Sequence, residues 1–360
     1  MRQPSAPHEP DPTRREESEP LVVLGEVHTG LITHHSALRR AETERLLAWL
    51  VPAGQVLSWE RPIPHAVSAP VLTGLDCALA LGIGGGKSVR AVGTVSSRAA
   101  LTGGTILQCS TVATVRAARF GRREGWAHYT SRPGELETLS PQQADHLAEG
   151  FLGEGGQRDG VADLGAVCER LVRRVQNAPM LEGRSPLLFQ WTRMRWAATS
   201  AGPVPQGAAD LANAAAVAAA AQAAQTAETA EAFMRVGEGT DRTLRIQAVR
   251  SAVEDLAEFC GDVALHDWIL TTVLGYLDEI SGAEPERQLA EIDLILTRLR
   301  HLWMPSARVS TELAVLWSEF ERKPGFSRQW QSLVARMSDQ IALHTAHQLG
   351  VLINHQEQCT

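Results

Sequence analysis

The sequence predicts an α+β protein, with an N-terminal, mainly antiparallel β domain holding a few helices, an Ala-rich helical spacer, and a C-terminal all-α helical bundle. Three observations carry this. From Arg90 to Ala118 the chain reads RAVGTVSSRAALTGGTILQCSTVATVRAA, β-branched runs broken by glycine pairs, as strands and turns require. From Ala208 to Arg235 alanine dominates, the best helix former. Beyond Asp241 large apolar residues recur at intervals of three and four, the spacing of one helix face. These shifts divide the chain into a disordered tail (1–20), an α+β domain (21–202), a spacer or linker (203–239) and the bundle (240–356).

Residues 1–20 lack the apolar side chains that offset ordering entropy. Order begins with LVVLGEVHTGLI from Leu21, a compact strand-like run. A helix is expected over Ser36–Leu50, then strands near Gln55–Trp59, Val89–Ser96, Thr105–Ala118 and Trp126–Thr130. Pro52-Ala53-Gly54, Arg61-Pro62-Ile63-Pro64, Gly82 to Gly86 and Gly103-Gly104 supply the turn chemistry between them. Asp163–Gln176 reads as a helix and Leu188–Thr199 as a last strand with aromatics on both faces.

In the second half, helices are expected over Asp241–Phe259, Asp262–Ile280, the stretch after Pro285 up to Trp303, Ser310–Phe320, and Ser327–Leu352. Pro285 suits a first helical turn, and Leu289, Ile292, Leu296, Leu299 and Trp303 make a bundle-type seam.

Composition narrows the function. The formal net charge of −7 argues against a chain whose main task is to neutralise phosphates. Lys87 and Lys323 are the only lysines among 34 basic side chains, a bias of GC-rich bacterial genes. The five cysteines, Cys77, Cys109, Cys168, Cys260 and Cys359, are scattered and form no C-x-x-C pair, so neither a disulfide framework nor a Cys-based zinc site is expected. No secretory signal or membrane-spanning run is read, and the expected compartment is the cytoplasm.

No complete catalytic motif is present, and no catalytic residue is assigned. Gly82-Ile83-Gly84-Gly85-Gly86-Lys87-Ser88 resembles a phosphate-binding loop, but Leu81 stands where the first glycine belongs and a strand-like run follows, so a Gly-rich hairpin loop is the simpler reading. Glu26 and His28 would share a strand face, and His34 or His35 could complete a three-ligand zinc site; unrelated histidines at turns are the plainer account, and no cofactor is required. Cys77 beside Asp76 lacks the electropositive setting of a nucleophile. Arg116, Arg119, Arg122 and Arg123, with Trp126 and Tyr129 behind them, form a candidate nucleic-acid surface that a solvated hairpin tip explains equally well. His344 and His347 lie one helical turn apart, a spacing that suits a metal or a polar seam position. Trp303, Trp317 and Trp330 are candidate partner-binding residues, although core packing suits them better.

LVVLGEVHTGL (Leu21–Leu31), ERPIPHAVSAPVLTGLDC (Glu60–Cys77) and GTVSSRAALTGG (Gly93–Gly104) resemble an uncharacterised family of actinobacterial hypothetical proteins. The resemblance implies a bacterial origin and a setting in gene clusters that include a methyltransferase and a P-loop ATPase-like protein. It implies no reaction.

Together these readings lead to the expectation of a non-catalytic adaptor or scaffold subunit whose partners are other proteins of the same gene cluster, with no membrane. Two alternatives are a nucleic-acid- or nucleotide-directed enzyme or accessory subunit using the N-terminal domain, and a metal-dependent hydrolase built on Glu26, His28, His34 and His35.

Overall fold

The β-branched run from Leu21 and the glycine-punctuated stretch to Ala117 supply most of one large sheet. In this computed structural model the described residues are 20–82, 86–153, 163–181, 190–200, 231–236, 240–248, 252–280, 282, 284–311, 313–323 and 325–358. The expected tail, the Ala-rich stretch to residue 230, and Cys359 lie outside them. In chain order the elements are β1 (Val22–Leu31), α1 (Arg40–Leu50), β2 (Leu57–Trp59), β3 (His65–Val67), β4 (Val71–Leu81), β5 (Lys87–Thr102), β6 (Ile106–Ala117), α2 (Trp126–Thr130), β7 (Glu135–Thr138), α3 (Ala144–Leu152) and α4 (Leu164–Gln176). They continue with β8 (Thr192–Ser200), β9 (Glu231–Val236), β10 (Asp241–Ala248), α5 (Val253–Ile280), α6 (Pro285–Leu299), α7 (Ala314–Arg322) and α8 (Phe326–Gln358). The fold is α+β.

The ten strands form one sheet in the order β2-β3-β5-β7-β6-β1-β8-β10-β9, with β4 also on β5 and a direct β5–β6 pairing. All pairings are antiparallel except β6–β7 and β8–β10. Strands β5 and β6 pair from Ser96 to Thr102, then part, and β7 fills the wedge between them. The β5–β6 hairpin turns on Gly103 and Gly104, whose φ values of 59° and 66° fit the two central positions of a type I′ turn.

The register of β1 sorts its side chains into two cores. Val22 and Leu24 face α3 and α4, whereas Val23 and Val27 face α5. On β8, Met194, Trp196 and Ala198 join the α5 side. A strand covered on both faces has few positions left for exposed polar residues. Helices α1 and α4 pack over the far end of the same face as α3. Helix α5 crosses the opposite face, with side chains of α6, α7 and α8 packed into its core. Trp196, Trp268 and Phe259 are fully buried in that core, and each such side chain contributes ~1.5–3 kcal/mol.

Several sequence expectations need correction. Asp241–Phe259 is not one helix: Arg242, Leu244 and Ile246 alternate inward as strand β10, and the helix begins only at Val253. Glu231–Val236, expected within a helical spacer, is strand β9, paired along β10. The sheet and the α5 core therefore run across the boundary placed at 203–239. Trp126–Thr130 is the short helix α2 rather than a strand; buried Tyr129 pins it by accepting the Glu124 backbone N–H at its hydroxyl. Thr73-Gly74 lies inside β4, where Gly74 leaves room for the Trp126 ring.

Candidate functional site

The register that places Glu26 on the α4 face brings it against the guanidinium of Arg193 on β8. Glu26 is 1% exposed; its carboxylate accepts from Arg193 Nε, from Arg193 Nη2 at 3.2 Å, and from His28 Nε2 at 2.8 Å. Burial pushes this carboxyl up, but the His28 hydrogen bond and the Arg193 charge outweigh burial and hold it below its ordinary value. Gly165, at the start of α4, permits the contact: a Cβ there would lie 2.6 Å from both Glu26 Oε1 and Arg193 Nη2. Asp163 caps α4 by accepting the Ala166 N–H, 2.9 Å away. This cluster clamps β1, β8 and α4 together.

It does not form the zinc site that the sequence suggests. His34 and His35 lie beyond β1, ring against ring at 4.4 Å, with His34 Nδ1 2.8 Å from the Ser36 carbonyl. Glu26 spends its oxygens on Arg193 and His28. Among the described residues no group of three His, Cys, Asp or Glu side chains is arranged to hold a metal ion.

The basic run is largely paired. Arg116 donates to Glu135 at 3.0 Å, Arg122 to Glu124 at 3.3 Å, and Arg123 lies 3.3 Å from Asp76. Arg119 and Arg122 flank the exposed Phe120 ring. Three of the four arginines thus carry a carboxylate partner, which weakens them as phosphate ligands.

Trp317 and Trp330 are buried, and Trp303 stacks on Trp330 with ring centroids 4.8 Å apart. Trp317 and Trp330 belong to the core of the α5–α8 layer, and Trp303 is partly buried against it. Lys87 and Ser88 begin β5, whose pairing with β4 closes a hairpin at Leu81 and Lys87; Ile83 to Gly85 lie outside the described residues. No helix follows this string, so it lacks the helix N-terminus of a phosphate loop. Burial and the neighbouring Asp76 charge push the Cys77 thiol up to about 12, the opposite of an activated nucleophile. His344 is half-buried and His347 exposed on α8.

Two concave features stand outside these clusters. One is a groove of about 880 Å³ between β9, α5 and the α7–α8 corner. Ala232, Met234, Leu270 and Leu333 give it an apolar lining, and Lys323, Arg322, Arg328 and Arg336 crowd its rim, where Arg322 is ion-paired to Glu319 and Arg336 to Asp278. Phe233 and Val236 beside it are 64% and 63% exposed. Deeper in the groove, Arg242 donates to Asp267 at 3.0 Å in a buried pair.

The other is a cleft of about 310 Å³ between the β3–β5–β6 face and the first turns of α5. His65 on β3 stands in it, stacked on Trp59 at 5.7 Å between ring centroids and hydrogen-bonded to Thr102 Oγ1 at 2.9 Å. Arg308, following α6, lies against the imidazole and donates to Asp262 at 3.3 Å. Burial and the Arg308 charge hold His65 well below its ordinary value, so it is a neutral ring. Gln108 braces the cleft floor by donating to the Gly261 carbonyl of α5 at 2.8 Å.

Comparison with protein-family models, curated proteins and solved structures gives no match. Function is therefore argued from these surfaces. Sequence reasoning singled out His65 only as one of several histidines, and it missed Arg98, Glu258 and Arg308. The i, i+4 pair Glu254–Glu258 on a helix start was a visible signal. Its opposing cations are not, because they come from strands and turns far away in sequence.

Proposed function

We propose that this chain is a non-catalytic adaptor whose groove along β9 receives an extended, acidic and apolar segment of a protein partner from the same gene cluster. The observation that supports this most directly is the position of β9. It ends the sheet, and among the described residues only β10 pairs with it. An edge strand offers a row of backbone donors and acceptors to an incoming strand, and here that edge adjoins an apolar groove. Alternate side chains of an added strand would enter the groove, while acidic residues would meet Lys323 and the rim arginines. A basic rim on a chain of net charge −7 selects the sign of its partner. In this reading α5–α8 form a C-terminal helical bundle that walls the groove, and the Ala-rich segment before β9 serves as a spacer.

The test places a photo-crosslinking amino acid at Phe233 in the full chain, expressed in its host. The expected product is one stoichiometric adduct whose crosslinked peptide is acidic and apolar. Binding of that peptide, remade synthetically, should fall at least about tenfold in the double variant Lys323→Glu, Arg336→Glu. An adduct peptide that is basic, or binding that ignores the charge reversal, overturns the proposal.

A further inference from the structure

The cleft beside His65 carries opposite charges on facing walls. Arg98 lies on β5, on the sheet side, and Glu254 and Glu258 stand one turn apart on α5. Among the described residues none of the three makes an ion pair or a hydrogen bond. Glu254 and Glu258 are exposed at the mouth of the cleft, and Arg98 is half-buried opposite them. Burial raises the Glu258 carboxyl, while the charges of Arg308 and Arg98 pull it back, so Arg98 is felt across the cleft without closing on the helix.

The wall between the charges is flat and apolar. Trp59, 45% exposed, stacks on His65, and Val67 and Ala100 continue the surface. Because Arg308 keeps His65 neutral, that ring adds stacking area and no charge of its own; Arg61 also lines the cleft, and Arg308 is held by Asp262. A volume of about 310 Å³ lies at the small end of ligand sites, the range of single amino-acid-sized molecules.

We infer that this cleft binds a small zwitterion bearing a flat apolar group, with its carboxylate on Arg98, its ammonium on Glu254 and Glu258, and its apolar part against Trp59. Such a molecule bridges the two walls and satisfies both charges at once, whereas a singly charged ligand leaves one wall uncompensated. The site is remote in kind from the β9 groove and stands or falls independently of it.

The test uses the full chain and three probes at neutral pH: L-phenylalanine, phenylacetate and 2-phenylethylamine, each titrated by calorimetry. L-phenylalanine is expected to bind at least about tenfold tighter than either singly charged probe. Arg98→Gln should weaken L-phenylalanine and phenylacetate but leave 2-phenylethylamine unchanged. Glu258→Gln should do the converse, and Trp59→Ala should weaken all three. Thermal melts confirm that each variant is folded; the three side chains are solvent-accessible, so their replacement leaves the core intact. The inference is overturned if L-phenylalanine gives no heat at millimolar concentration, if it binds no better than phenylacetate, or if Arg98→Gln leaves its affinity unchanged.

Discussion

Arg308 presses its guanidinium against His65 across 243 residues of sequence, with Nη1 2.6 Å and 2.8 Å from the two ring nitrogens. Its other end donates to Asp262 on α5, which also accepts the Ser306 backbone N–H at 2.9 Å. One cation thus ties the β3 margin of the sheet to the helical layer, at the cost of a histidine that cannot protonate.

That cost has a pH signature. His65 titrates well below 6.5 in the folded chain, and burial moves His266 in the same direction. A histidine with a depressed folded pKa stabilises the fold fully above the unfolded value, and that stability is lost as pH falls through 6.5 and below. The melting temperature should hold steady between pH 8 and 7 and fall on acidification through about 6.5 to 5. His65→Gln should flatten that fall. An equally steep fall in the variant would remove His65 as its source.

Glu26 is the second point of leverage. Glu26→Ala leaves Arg193 half-buried without its main partner and should cost ~3–5 kcal/mol in denaturant unfolding. The double replacement Glu26→Met, Arg193→Met should cost much less than Glu26→Ala alone. A small loss for Glu26→Ala would mean that the cluster is a surface ornament and not a clamp.

The β4–β5 and β5–β6 connections hold two kinds of glycine. Gly104 has φ 66°, and a Cβ there would lie 2.1 Å from the Leu38 carbonyl oxygen. Gly82 has φ 64°, and among the described residues nothing lies within 4 Å of a Cβ placed there. Gly82→Ala should cost ~1–2 kcal/mol from backbone strain alone, and Gly104→Ala clearly more. Urea melts of the two variants measure the difference.

Trp317→Ala distinguishes a core residue from a contact residue. Its ring meets those of Phe259, His266 and Phe326. Truncation should cost ~3–5 kcal/mol of unfolding free energy. An unchanged melting curve would restore it as a docking residue.

Much of the sheet was legible because β5 and β6 are rich in β-branched residues and their turn carries a glycine pair. The helices from α5 onward were legible from period, and Pro285 marks the start of α6 as its position predicts. Leu188–Thr199 reads as a strand, although aromatics on both faces blur its alternation. They arise because this segment is covered on each side, with Trp196 toward α5 and Trp191 packed against the α1–α4 core. Strand β10 was masked by its neighbour: its short alternation of Arg242, Leu244 and Ile246 runs almost directly into α5, and the longer period dominated. The cleft was illegible for another reason. Arg98, Glu258 and Arg308 meet only after a ten-stranded sheet and a crossing helix have brought them together.

The place of β1 in the middle of the sheet also sets a timetable. It pairs β6 on one side and β8 on the other, and Glu26 waits for an arginine 167 residues downstream. From the end of β6 at Ala117 to the start of β8 at Thr192, at a translation speed of roughly 5–20 residues per second, the early strands stand for about 4–15 s with one flank of β1 unpaired. The apolar face that α5 will cover stays open longer still, since α5 is made after β8. During that interval the nascent chain presents Val23, Val27 and Ile106 to solvent or to whatever holdase reaches it first. Yield in a foreign host should therefore respond to growth temperature and chaperone supply more than to the stability of the finished fold.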